Sequence, residues 1–267
     1  MKRVWLTGSF VLYYFLNIRS EQVEAIMLRA CDFSQISDGH TYQANDMVKA
    51  DTCGCEGCHK CCTGMGNSIV LDPFDIWRMC FLSGKEDMCF EELLARGKVE
   101  LNLVDGLILP NLRMNEKDAC SFLNDEGRCT IHAVRPAICR LFPLGRVYGD
   151  EGFSYFLQKG ECAKENRVKI KVKKWIDTPN LQKNEEYVLA WHTFIRMVGD
   201  LMIELKKKGT SELMNEIAMY VLNTFYVKTI LFSEADANTG KDLDVLAYEK
   251  LIAMIDEASA KIKGWIH

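Results

Sequence analysis

Cys53-Gly-Cys55-Glu-Gly-Cys58-His-Lys-Cys61-Cys62 places five cysteines within ten residues, and four more follow at Cys120, Cys129, Cys139 and Cys162. Each of the later four stands in its own short, loop-like stretch. An apolar core has no need of thiols at this density. Thiols so close in sequence are also poor partners for one another, because a disulfide needs Cα atoms about 4.4–6.8 Å apart and converging Cβ vectors. A soft metal ion or cluster satisfies them together, since two-residue spacers let successive thiolates turn towards one centre. The stretch therefore points to a thiolate metal site.

The bulk composition narrows the class. The chain has 267 residues, 48% of them hydrophobic and 10% aromatic, enough for a buried core and for one large or two small domains. A net charge of −4 argues against a general nucleic-acid binder, which carries a basic excess. Twelve cysteines would allow six disulfides in a secreted protein. The chain is too large to need such staples, its thiols are clustered, and Cys61-Cys62 is an awkward pair, so the reading is a reduced, cytoplasmic metal protein.

Residues 1–46 read as an N-terminal segment. Lys2 and Arg3 precede an apolar run from Val4 to Ile18, shorter than the ~20 residues that span a bilayer. No small-x-small cleavage site follows. Either the run is an amphiphilic helix or it lies upstream of a true start at Met27; an export signal ranks third.

Fold class follows from the local signals: α+β, with a small cysteine-rich module of short helices and β-hairpins around a metal site at 47–165, then an α-helical C-terminal region at 166–267. Asp72-Pro73 starts a helix that turns Phe74, Trp77 and Phe81 inward and stops near Gly84. A second helix covers Phe90 to Arg96, ended by Gly97. Val99 to Leu103 and Leu107 to Leu112 flank Asp105-Gly106, a hairpin signature. Asn124 to Gly127 is a turn that sets Cys120 and Cys129 at the ends of a small hairpin, and Arg135-Pro136 opens a helical turn presenting Cys139 before Phe142-Pro143. Leu144 to Tyr148 and Phe153 to Leu157 form a further strand pair. Tyr187, Trp191, Phe194, Val198, Leu201 and Leu205 form a helical stripe that ends at Lys206-Lys207-Lys208-Gly209. Ser211 caps a helix running to about Phe232, a polar loop covers Ser233 to Lys241, and Leu243 to Ile262 is the last helix.

Cys55, Cys58, Cys61 and Cys62 keep the spacing C-x-x-C-x-x-C-C, and Cys120, Cys129, Cys139 and Cys162 offer distant partners. Eight thiols divide into two four-thiolate sites, or into one cluster and one mononuclear ion; spacing alone does not choose. Iron–sulfur or iron is modestly favoured over zinc, because the run resembles ferredoxin spacing more than paired zinc knuckles.

These strings, with Cys120-Ser-Phe-Leu, Arg128-Cys129-Thr-Ile-His132 and Arg135-Pro136-x-x-Cys139-Arg140-x-Phe142-Pro143, resemble the YkgJ-type cysteine cluster proteins. That family is described as zinc- or iron-chelating, and flagellin lysine N-methylases are relatives. The likeness covers about 53–162 and implies the metal ligands Cys55, Cys58, Cys61, Cys62, Cys120, Cys129, Cys139 and Cys162. His132 stands where the family usually has tyrosine, so it reads as a packing ring more than a ligand, and Cys53 is an addition ahead of the motif.

Cys31, Cys80 and Cys89 read as non-ligands, with Cys80 a small buried hydrophobe. Arg135 and Arg140 bracket Cys139 and either offset thiolate charge, hold a substrate carboxylate, or make structural ion pairs. His59 either supports the ligands with a hydrogen bond or faces water. Lys169, Lys171, Lys173 and Lys174 alternate with Ile170 and Val172 as a basic strand face, more a solvated edge than a nucleic-acid contact. Phosphate loops, nucleophile elbows and zincin helices are lacking. The chain thus reads as a metal-binding protein holding iron–sulfur or zinc, with no assigned catalytic residue. The alternatives are a metal-dependent protein-modifying enzyme similar to flagellin lysine N-methylase and a metal carrier or insertion factor. A protein partner is expected at the helical region; nucleic acid is not, nor is a membrane unless the N-terminal run is genuine.

Overall fold

The computed structural model describes residues 36–52, 58–82, 89–149, 152–228, 230, 232, 236 and 239–266. The readings at Met1 to Cys31, Cys53, Cys55 and Gly84, and the whole-length reading of the 233–241 loop, lie outside the described residues. What is described is α+β: three two-stranded antiparallel sheets and seven α-helices.

Strand β1 (Met47–Asp51) leads towards the cysteine cluster. Helix α1 (Pro73–Phe81) starts as its sequence demands: Asp72 Oδ1 accepts from Asp75 N at 2.8 Å, Asp75 Oδ2 accepts from Asp72 N at 3.3 Å, and Pro73 takes the first helical position. Such a reciprocal cap is worth about 1 kcal/mol. Phe74, Ile76, Trp77 and Met79 turn inward. Phe81 does not: it is 51% exposed, because the helix stops there, with Leu82 as its cap, short of the expected Gly84. Helix α2 (Phe90–Ala95) closes at Gly97, whose φ is 61°.

Strands β2 (Val99–Val104) and β3 (Leu107–Leu112) pair in register across Asp105-Gly106, both with positive φ, as an Asp-Gly hairpin requires. Gly106 is needed twice over, since a Cβ there would press on Met202 Cβ at 3.0 Å. Helix α3 (Ala137–Leu141) precedes the hairpin of β4 (Leu144–Gly149) and β5 (Gly152–Leu157). Strand β6 (Val168–Lys171) returns to pair with β1. Here the lysine run departs from a strand: Val172–Ile176 is helix α4, so Lys173 and Lys174 are helical. Backbone bonds from Val172 N to Asp46 O and Lys173 N to Ala44 O bend the chain out of the ladder.

The C-terminal region is helical. Helix α5 (Leu181–Lys208) ends at left-handed Gly209, whose N–H returns to Leu205 O and Lys206 O. Helix α6 (Ser211–Leu222) has Thr210 at its cap position, and Ser211 is its first residue rather than its cap. It also ends well before Phe232, passing into a π-turn at Asn223–Val227. The widened turn carries Phe225 and Tyr226 inward together, and Tyr226 Oη donates to Leu71 O at 3.0 Å. Helix α7 (Leu243–Gly264) closes the bundle against α5 and α1.

Two cores result. The larger centres on Phe74, whose ring lies 4.2 Å from Tyr248, 5.4 Å from Trp77 and 6.0 Å from Tyr187, and continues into Trp191, Phe194 and Phe225. The smaller lies under β1 and β6 and contains Val48, Ala50, Leu141, Leu144, Tyr155, Leu157, Val172 and Ile176. The helix carrying Cys139 sits at its edge.

Candidate metal centre

All nine described cysteines are free thiols. Residues Lys60–Cys62 form a single 3-10 turn, closed by Cys62 N donating to His59 O, and it sets Cys61 Sγ 4.0 Å from Cys62 Sγ. That is twice the ~2.05 Å of a disulfide. It is close to the spacing of about 3.8 Å that two sulfurs adopt on one tetrahedral ion with metal–sulfur bonds of ~2.3 Å.

The chain then pairs with a segment far along the sequence. Thr63 bridges Ala119, Gly64 N donates to Asp118 O, and Cys120 N donates to Cys62 O at 2.8 Å. Cys120, 7% exposed, is thereby fixed behind Cys62. The Asn124 to Gly127 turn is as read: Asn124 Oδ1 accepts from Glu126 N and Arg128 N, and Asn124 N donates to Arg128 O. Cys129 bridges Leu123 rather than Cys120, so the hairpin is reduced to single bridges. Gly127, at φ 71°, holds the His59 ring so closely that a Cβ would stand 2.8 Å from Nδ1. His59 thus packs on this turn.

Cys139 is positioned by Asp75. The carboxylate that caps α1 also accepts from Ala137 N at 2.7 Å, at the start of α3. Arg140, 7% exposed, fixes the other side: its guanidinium donates to Arg135 O, Asp177 O at 2.7 Å and Ala133 O at 2.6 Å. All three acceptors are backbone carbonyls, so Arg140 braces loops. Arg135 is the cation whose field reaches Cys61 and Cys129. His132 is exposed, not packed, and its Nε2 lies 2.7 Å from Arg135 Nη1, which leaves it engaged away from the sulfurs.

Several of these thiols influence one another electrostatically. Cys61 feels Cys62, and the fields of Cys61 and Cys120 act on Cys62, those of Cys61 and Cys129 on Cys120, and those of Cys61, Cys120 and Cys129 on Cys139. Burial is the main cause that raises the thiols of Cys120, Cys129 and Cys139. Cys62 is raised chiefly because its proton is shared with Cys61, and the same hydrogen bond lowers Cys61 to about 7. Without a cation, burial and the neighbouring thiolates favour the protonated forms of Cys62, Cys120, Cys129 and Cys139, while Cys61 gives up its proton more readily; a soft cation displaces the protons. The donor set therefore fits zinc or iron.

Cys61, Cys62, Cys120, Cys129 and Cys139, from four chain segments, are linked by these influences. Cys58 and Cys162 are half-buried and are not among the principal charges on the five. Among the described residues no three such side chains converge on one point as a finished metal site. Cys80, half-buried with its thiol pushed up to about 12 by burial, then by Cys89 and Glu91, stands apart, as does the exposed Cys89. What the sequence did not reveal is Asp75 as the link from α1 to Cys139. Asp72-Pro-Phe-Asp75 is legible as a cap, but its partner lies 62 residues away.

Residues 54–178 match the model of the CxxCxxCC family, described as a putative zinc- or iron-chelating domain. The match extends past Cys162 to include β6 and α4. No curated protein and no solved structure matches the chain.

Proposed function

We propose, taking residues 54–178 as a member of the CxxCxxCC family, that this chain binds zinc or iron through its clustered thiolates and that the metal chiefly maintains the fold of the module. One observation carries the reading: the sulfurs of Cys61 and Cys62 lie 4.0 Å apart, with Cys120 tied to Cys62 through the backbone, on elements too short to hold themselves. Cys61, Cys62, Cys120, Cys129 and Cys139 would hold the metal, with Cys55, Cys58 and Cys162 as further ligands by family likeness. Bound there, the metal supplies cross-linking free energy that the short elements lack. Asp75 and Arg140 keep the Cys139 helix in place, and Arg135 offsets thiolate charge.

Anaerobic purification, a visible spectrum and a count of iron, zinc and acid-labile sulfide test this. Stoichiometric zinc in a colourless protein supports the tetrahedral ion suggested by the Cys61–Cys62 spacing. Matching iron and sulfide in a brown protein supports the cluster. A folded chain with neither metal nor sulfide overturns both.

Buried Asp75 beside Cys139, with the half-buried Asp72 next to it, favours a second reading, a metal-dependent modifying enzyme like the flagellin lysine N-methylases. Buried carboxyls with raised affinity for protons are a frequent mark of reactive sites. Transfer of labelled methyl to a protein lysine would support it; failure with the cognate flagellin would count against it.

A further inference from the structure

We propose that the outer face of the β1–β6 ribbon, with the start of α4, is a docking surface for the anionic headgroups of a membrane. The ribbon shows opposite characters on its two faces. Val48, Ala50 and Val172 face the smaller core. Outward stand Lys49, Lys169 and Lys171, joined by Lys173 and Lys174 on α4; all five are exposed. None of the five forms an ion pair with a described residue. On a chain of net charge −4, five ammonium groups with no ion pair to a described residue, on one ribbon and the start of the helix after it, form a local reversal of sign.

Aliphatic side chains choose the partner. Met47, directly opposite Lys171 in the ladder, is 47% exposed on this face, and Val168, opposite Asp51 at the end of the ribbon, is equally exposed. A nucleic-acid backbone offers phosphates but nothing for a methionine or a valine to bury in. A membrane interface offers both anionic headgroups and acyl chains, and lysines can lie over the headgroups while short aliphatics insert beside them. No helix among the described residues is long and apolar enough to cross a membrane, and docking of this kind requires none.

The test is co-sedimentation of the full metal-loaded chain with phosphatidylcholine vesicles, with and without one part in three of phosphatidylglycerol, at low and physiological salt. Lys169→Glu/Lys171→Glu is the variant; both positions are exposed, and circular dichroism and metal content check that the fold persists. Binding to the anionic vesicles alone, weakened by salt and reduced about tenfold or more in the variant, is expected. Three results overturn the proposal: no vesicle binding, equal binding by the variant, or equal binding to neutral vesicles. A variant that loses binding to single-stranded RNA or to a poly-glutamate peptide, with vesicles ignored throughout, assigns the ribbon to that partner instead.

Discussion

The helical bundle and the sulfur-bearing loops solve the same problem by different means. Around Phe74, aromatic rings from α1, α5 and α7 meet within 4.2–6.0 Å, and the long helices α5 and α7 lay continuous apolar stripes against them. Around the sulfurs there is little of this kind. The 58–64, 118–129 and 132–139 segments are single turns and isolated bridges, joined by backbone bonds such as Cys120 N to Cys62 O and by braces from Asp75 and Arg140. The bundle is held by buried apolar area, whereas the loops are held by polar ties whose net worth is about 0.5–1.5 kcal/mol each. The difference teaches where the metal's free energy is needed.

The sharpest way to break that contrast is to remove the metal. Chelation should abolish hydrogen-exchange protection across 118–141 while leaving α5 and α7 protected; equal loss in both regions would mean that the bundle also leans on the metal. Next in size, Phe74→Ala should lower global stability by about 3–5 kcal/mol in denaturant melts of the holoprotein, because it empties the centre of the aromatic core. Retention of the metal at low denaturant would show the loops independent of the bundle.

Asp75→Ala should cost about 2–3 kcal/mol, through loss of both the cap on α1 and the acceptor for Ala137 N. Faster metal loss to a mild chelator is the accompanying sign, since Cys139 rides on that tie. Gly127→Ala should cost about 1–2 kcal/mol, from a positive φ and collision with the His59 ring, and should be seen in metal release more than in the melt of α5–α7.

The smallest effect is in pH. Burial raises the proton affinity of Asp75 well above that of an ordinary carboxyl, assisted by Asp72, and raises Asp72 as well. A carboxyl with a higher pKa folded than unfolded stabilises the fold fully below its unfolded pKa, and that contribution is lost as pH rises through the folded value. Apo stability should therefore fall with rising pH above the ordinary carboxylate range, and less steeply in Asp75→Asn. An unchanged slope would separate Asp75 from the effect.

Local chemistry was legible in the sequence and distant pairing was not. Asp105-Gly106, the Asp72-Pro73 start of α1 and the Gly209 stop of α5 were readable because each is decided within a few residues. The thiol spacing announced a metal site for the same reason. The outward turn of Phe81 was misread, because a helical stripe does not reveal that the helix ends at that residue. The run to Phe232 was misread because apolar periodicity continues through a π-turn that α-helical spacing cannot anticipate. Lys173 and Lys174 kept the alternation of a strand while the bonds to Ala44 and Asp46 had already made them helical. The pairing of Cys62 with Cys120, and of Asp75 with Ala137, depends on contacts between segments with no shared local pattern.

The pairing of Asp51 with Val168 has a topological meaning. It brings the entry and exit of the whole thiol-bearing stretch side by side, like the two ends of a buckled strap. A unit with adjoining ends can be spliced into a surface loop of an unrelated host without prising that host apart. Adjoining ends meet the geometric condition for such a splice, and the packing of Phe74 on Tyr187 and Tyr248 is what a new host would have to replace.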